Sequence, residues 1–297
     1  MGHAHAPATF GTTFAVVIGL NLIFVAVEVA FGIIGNSVAL LADAGHNMSD
    51  VLGLGVAWAA AVLAQRVPTA KFTYGLGGSS ILAALFNAVF LLVVVGGLSW
   101  EAIQRLFNPE PVAGGTVMIV AAIGIALNGV SAWLFTRGSQ SDLNIRGAFL
   151  HMAADALVSV GVVVAGLVIQ LTGWLLIDPI VSLAVNLVIV IGTWSLLTGS
   201  LFMSLNAVPR GIELPKVRDY LEGLPGVTAV HDLHVWPLST TETALTCHLV
   251  MPEGHPGDAF LMRACQELVD RFRIGHATLQ VETDAASACP LAPDHVI

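Results

Sequence analysis

Two five-residue words carry the chemistry of this sequence: His46-Asn-Met-Ser-Asp50 and His151-Met-Ala-Ala-Asp155, each with an imidazole and a carboxylate four positions apart. On an α-helix, positions i and i+4 share a face, so each word presents both groups in one direction. Both words lie inside apolar runs long enough to cross a bilayer. Two such helices facing each other supply two nitrogens and two oxygens, a donor set that suits tetrahedral zinc. A carboxylate in mid-membrane costs roughly 2.5 to 3.5 kcal/mol even on insertion scales, so Asp50 and Asp155 need a partner that offsets this. A divalent cation held by two carboxylates and two neutral imidazoles is formally neutral. One such word alone would also fit a buried ion pair in which the Asp binds its own His. Two words on separate spans favour a site that moves a metal ion.

Composition requires a membrane setting for the elements that position these groups. Only 10% of the 297 residues are charged and 56% are hydrophobic, the mean hydropathy is +0.84, and soluble domains carry roughly 25% charged residues. Six apolar segments reach the roughly 20 residues needed to span hydrocarbon: Thr13 to Ile34, Val38 to Ala64, Ser79 to Trp100, Gly115 to Phe135, Leu143 to Leu171 and Leu176 to Leu201. Arg66 and Lys71 fall between the second and third, Arg137 between the fourth and fifth with Arg146 in the first turn of the fifth, and six more basic residues follow the last. Arg105 alone lies on the other side. The positive-inside rule then places both termini in the cytoplasm. The first run has no small-residue cleavage site and is expected to remain as a span.

The pattern changes after Asn206. Glu213 to Glu222 and Asp258 to Phe272 read as helices, while Val227 to Trp236, Thr243 to Met251 and Ala277 to Thr283 alternate like strands, which predicts a small αββαβ sandwich. The expected organisation is a cytoplasmic tail over 1–12, a six-helix transmembrane domain over 13–205 and a cytoplasmic metal-binding and dimerisation domain over 206–297. The formal net charge is −9, with six basic and twelve acidic residues from Ala207 onward, a balance that disfavours nucleic acid as a partner. Cys247, Cys265 and Cys289 all lie in this last part, an odd number that reads as reduced thiols. By strand alternation, His231 is expected to share a face with Leu233 and Val235, and His248 with Thr246 and Val250. His231, His248 and Glu282 then form a second metal constellation across neighbouring strands, with His234, His255, Cys289 and Gln280 as candidates to complete it. Cys247 alternates away from His248 and reads as core. His3 and His5 form a short metal-attracting tract.

Other buried polar positions carry open readings. Asp43 lies on roughly the same face as His46 and Asp50; it orients a ligand, lines the ion's route, or serves the start of the helix. Glu28, Asn21, Asn87 and Asn128 each sit in a span and read first as interhelical glue, with a proton path as the alternative.

Five stretches resemble the cation diffusion facilitator family in its zinc-transporting branch. They are Ser37-Val-Ala-Leu-Leu-Ala-Asp-Ala-Gly-His46-Asn-Met-Ser-Asp50, Thr73-Tyr-Gly, Ile81-Leu-Ala-Ala-Leu-Phe-Asn, Leu143-Asn-Ile-Arg-Gly-Ala-Phe-Leu-His151 and Pro225-Gly-Val-Thr-Ala-Val-His-Asp-Leu-His-Val-Trp236. The resemblance implies a homodimer in the lipid bilayer, six transmembrane helices per protomer and a ferredoxin-like cytoplasmic domain. It implies a secondary transporter of the bacterial inner membrane that exports Zn2+ in exchange for protons, with Cd2+ and Co2+ as further passengers. The family's transport site maps onto His46, Asp50, His151 and Asp155, and its regulatory zinc site onto His231, His248 and Glu282. No organic cofactor is implied.

Two departures from the family stand out. The loop from Arg66 to Ser80 contains no His or Asp, where some relatives bind another metal. Gly75-Leu-Gly-Gly-Ser-Ser80 replaces an arginine and an acidic residue common in relatives, and Gly77 and Gly78 are expected to make the start of the third helix flexible. Readings from other classes are an intramembrane metalloenzyme and a membrane metal sensor without transport. The enzyme would need an open coordination position and a general base. No His-Glu-x-x-His word is present and four ligands close a tetrahedron, so the chain does not read as an enzyme. A sensor would use the same ligands as a transporter.

Overall fold

The computed structural model describes residues 12–64, 66–135, 143–284, 289 and 291, with side chains described for 19–52, 55, 63, 66–130, 155–284, 289 and 291. Six long helices come first: α1 (Thr12–Ile34), α2 (Val38–Ala64), α3 (Ser79–Phe107), α4 (Gly114–Phe135), α5 (Leu143–Thr172) and α6 (Ile177–Ser204). They coincide with the six expected spans to within a few residues at most ends. The exception is α3, which continues past Trp100 because Arg105 in its last turn pairs with Glu101 at 2.8 Å and donates to Asn36 O at 2.6 Å. Ser79–Phe107, Asp155–Thr172 and Ile177–Ser204 are long and apolar enough to cross a membrane, and Gly19–Ile34 and Gly114–Val130 are shorter apolar helices, counted over the described residues. Ile23, Phe86, Val93, Ile119, Leu187 and Ile191 are exposed, which suits contact with lipid and would be a liability in water.

The chain divides into two compact units, Met1–Trp58 with Phe86–Leu196, and Ala59–Leu85 with Leu197–Ile297. In the first unit α2 occupies the centre. Ala39 and Leu40 pack with Val117, Val120 and Val162 of α4 and α5, and Ala42 packs with Val95, Val185 and Ile189 of α3 and α6. The start of α2 is fixed by polar contacts. Ser37 Oγ accepts from Leu40 N–H at 3.1 Å, a helix N-cap. The same hydroxyl donates to Asp178 Oδ1 of α6, whose Oδ2 accepts from Val38 N–H at 2.8 Å. A buried carboxylate at a helix N-terminus is favoured by the dipole and by the unpaired N–H groups there.

Glycine sets the approach of α4 to α5. A Cβ at Gly166 would lie 2.8 Å from Gly114 O, and one at Gly114 would lie 2.7 Å from Gly166 O. Small residues at a crossing let two membrane helices pack backbone to backbone, which here places α5, the carrier of the second His/Asp word, tightly in the bundle.

The second unit holds α7 (Leu214–Glu222), β1 (Ala229–Pro237), β2 (Thr243–Val250), α8 (Asp258–Phe272) and β3 (His276–Glu282), the expected αββαβ order. The sheet runs β1-β2-β3, with β1 antiparallel to β2 and β2 parallel to β3. Its core packs Val217 and Leu221 of α7 and Leu268 of α8 against Val230, Leu245 and Leu249 of the sheet. Cys247 is 1% exposed within that core, and burial pushes its thiol up to about 12, so it is an inert apolar group as expected. All three cysteines are free thiols.

The glycine-rich loop is held rather than flexible. A Cβ at Gly77 would meet Leu238 O at 3.1 Å and Ser239 Cβ at 3.2 Å, so glycine is needed for close approach. Ser80 Oγ accepts from Thr240 N–H at 3.1 Å, and Tyr74 sits edge-on to His276 with ring centroids 5.4 Å apart.

Candidate metal centre

His46 and Asp50 lie on the same face of α2, and Asp155 comes from α5. One ligand atom from each of the three lies within 4.8 Å of the others. His46 Nε2 is 2.8 Å from Asp155 Oδ1, so the imidazole reaches across the two helices to the carboxylate of the other word. An imidazole and carboxylates drawn from both words within reach of one point is the arrangement a shared cation requires. Asp155 is 2% exposed; burying a carboxylate so completely is costly unless it is paired. His151 stands one turn before Asp155 on α5, and its side chain lies outside the described residues, as do His3 and His5.

Neighbouring polar groups hold these two helices in register. Asp43 is fully buried and accepts from Ser159 Oγ of α5 at 3.0 Å, one turn beyond Asp155. Of its open readings, this contact supports the role of orienting the ligand helices. Asn47, next to His46, donates to Glu28 Oε2 of α1 at 2.8 Å. Glu28 therefore ties α1 to the ligand-bearing turn of α2, which fits interhelical glue. Asn87 and Asn128 are buried. The sequence reading missed Asn47 and Ser159. The available signal was their position, one residue after His46 and one turn after Asp155.

The cytoplasmic constellation is rebuilt by a bulge. The β1–β2 register shifts between His231 and His234, and Asp232 adopts a left-handed φ of 50°. Such an insertion reverses the alternation beyond it. His231 therefore does not share a face with Leu233 and Val235, which are in the core; it stands directly opposite His248, with ring centroids 5.0 Å apart. His248 Nδ1 is 2.8 Å from Glu282 Oε1 and His231 Nε2 is 3.4 Å from the same oxygen. Cys289 Sγ lies 3.7 Å from His248 Nδ1. Ligand atoms of all four residues fall within 4.8 Å of one another. Of the four candidates to complete this set, Cys289 alone joins the cluster. His234 is exposed and pairs with Asp232 at 2.9 Å, His255 Nδ1 accepts from Gly257 N–H at 3.1 Å, and Gln280 lies 3.5 Å from Glu282. Asp232, 3.5 Å from His248 Nε2, was missed, because only the bulge brings it near.

Burial pushes the Glu282 carboxyl up, but the Cys289 hydrogen bond, the His231 charge and the His248 contact outweigh this and hold it below its ordinary value. It is thus a ready anionic ligand. His231 Nε2 is buried without a hydrogen-bond partner, an orphaned atom that a metal would satisfy, and two imidazoles, a carboxylate and a thiol suit zinc. In the full chain carrying Asp155→Asn, the added changes His231→Ala and Cys289→Ser should each weaken zinc binding at least about tenfold. Competition with a chromophoric chelator reads this, and affinity equal to that of the Asp155→Asn parent would remove these residues from the site.

A family model described as the cation efflux transmembrane domain matches residues 14–203. A second, described as the cytoplasmic domain of cation efflux proteins, matches residues 209–284. The chain is 38% identical over 266 residues to the zinc transporter ZitB of Escherichia coli (strain K12), covering 89% of this chain and 85% of that protein. It is 35% identical to the metal cation efflux system protein CzcD of Cupriavidus metallidurans, covering 95% and 90%. It is 31% identical to the cadmium, cobalt and zinc/H(+)-K(+) antiporter of Bacillus subtilis (strain 168), covering 96% and 93%.

Proposed function

We propose, on the premise that this chain belongs to the cation efflux family, that it exports zinc from the cytoplasm by proton antiport, with cadmium and cobalt as further substrates. The family and the named relatives are transporters, so the chain is a membrane transporter and not an enzyme. The observation that carries the reading is the clustering of His46, Asp50 and Asp155 across α2 and α5, with His151 one turn before Asp155. These four residues are the proposed transport site.

Metal ligands must be deprotonated to bind, so zinc and protons compete for the same atoms, and imidazole makes that exchange near neutral pH. In the proposed cycle zinc reaches the site from the cytoplasm, the helices rock, and protons from the far side displace it. The working chain is a homodimer in a bacterial inner membrane with both termini cytoplasmic, over a membrane domain of 13–205 and a cytoplasmic domain of 206–297. His231, His248, Glu282 and Cys289 bind zinc as a regulatory ligand.

Proteoliposomes test the coupling. Zinc uptake should rise with an imposed acid-inside gradient, and the lumen should become more alkaline as zinc enters. Uptake indifferent to the gradient rules out antiport, and zinc binding without uptake identifies a sensor.

A further inference from the structure

Glu28 on α1 and Asp43 on α2 are both fully buried, and each has one oxygen engaged and one left over. Asn47 donates to Glu28 Oε2 at 2.8 Å, and Ser159 donates to Asp43 Oδ2 at 3.0 Å. Glu28 Oε1 and Asp43 Oδ1 are buried and accept no hydrogen bond from the described residues. The two side chains nevertheless interact directly with each other, so the leftover oxygens belong to a pair of acceptors with no donor between them. No lysine or arginine on α1, α2 or α4 is there to pair with them, because these helices contain none. The other titratable groups of α2 and α5 are His46, Asp50 and Asp155, already grouped as metal ligands, together with Arg146 and His151, whose side chains lie outside the described residues. On α3 and α6, which also pack against α2, the charged groups are Glu101 and Arg105, paired with each other, and Asp178, held at the start of α2.

We propose that Glu28 and Asp43 hold one proton between them in the zinc-free protein, and that this proton leaves when zinc occupies the neighbouring ligand cluster. A proton is the smallest ligand that satisfies both leftover oxygens. It sits on Glu28 as an O–H that donates to Asp43, as in other carboxyl pairs that share a site. It also removes one of two charges whose burial away from water is costly. The coupling to zinc is electrostatic. The charges of His46 and Asp155 act on Asp43, and Asn47 joins Glu28 to the residue beside His46, so a divalent cation among the ligands favours the pair with both carboxylates ionised. The Glu28 O–H bond then breaks, its electron pair stays on the carboxylate, and the proton passes to the surrounding water. Glu28 thereby enters the exchange as a proton carrier that does not touch the metal. The release step rests on the transport-site reading above; the proton held in the zinc-free protein does not.

Infrared difference spectroscopy on the purified full-length chain at neutral pH tests this, with zinc alone as the probe. The zinc-free protein should show the carbonyl stretch of a protonated carboxyl group, zinc should abolish it, and Glu28→Gln should lack it. Glutamine keeps the contact with Asn47 and donates its amide N–H to Asp43, so this variant should melt as the wild type does. An indicator dye should count about one proton fewer released per zinc bound in Glu28→Gln. Asp43→Asn turns the acceptor into a donor toward Glu28; it should lose or displace the band, and it serves if the glutamine variant does not fold. A band that is absent from the wild type, or unchanged in folded Glu28→Gln, overturns the proposal. So does a band that zinc leaves in place, or equal proton release, provided that Asp155→Asn lowers the zinc stoichiometry and so establishes binding at the cluster. A stoichiometry indifferent to Asp155→Asn removes the transport-site reading instead, and the zinc-free band then decides Glu28 alone.

Discussion

Asp155→Asn protein is expected to lose zinc transport by more than about 100-fold while folding as well as the wild type. Asn keeps the shape of the side chain but removes one of two carboxylate charges at the site, the one on its most buried residue. A divalent cation there would keep a net positive charge in a medium of low dielectric, at a cost of several kcal/mol, and each 1.4 kcal/mol is tenfold in binding. In the metal-free protein the same change relieves the burial cost of a charge on a group that is 2% exposed, while the asparagine carbonyl can still accept from His46 Nε2–H across the 2.8 Å contact. The signature is therefore a split: zinc flux into proteoliposomes collapses, and the melting temperature holds or rises. Flux within threefold of wild type would take Asp155 out of the site. A parallel fall in melting temperature would assign it a structural role.

Gly166→Val is expected to damage the bundle itself. The new Cβ would lie 2.7 Å from Met118 Cγ and 2.8 Å from Gly114 O. A methionine side chain moves aside, but a backbone carbonyl of α4 does not, so the helices must separate. Overpacking of this kind costs about 1–3 kcal/mol, which for a chain of this size lowers the melting temperature by roughly 2–10 °C. Because α5 carries Asp155, zinc flux should fall with it. Gly96 on α3 is the control, since a Cβ there meets nothing within 4 Å and alanine favours the helix. Equal melting of Gly166→Val and Gly96→Ala would show that the crossing is not tight.

The shared face of each His/Asp word was legible because helical periodicity is local: four residues return a side chain to the same face whatever surrounds it. The six spans were legible for a similar reason, since length and apolarity are counted along the chain. Alternation failed at Asp232, where one residue with positive φ shifted the β1 register and put His231 opposite His248. It failed in kind at Gly77, whose lack of a side chain signals flexibility in isolation and close approach once Leu238 lies 3.1 Å from where a Cβ would be.

By itself, then, the sequence determined the membrane setting, the order of elements and the two faces that carry His46 with Asp50 and His151 with Asp155. Those properties follow from burial cost and from the pitch of one helix. Tertiary structure alone decided which groups meet: His46 with Asp155, Asp43 with Ser159, Asn47 with Glu28, and Cys289 with His248. Each of these pairs joins residues 19 to 116 positions apart, and no local pattern encodes such a distance. They arise because buried polar groups must find partners, and packing determines which partner is within reach.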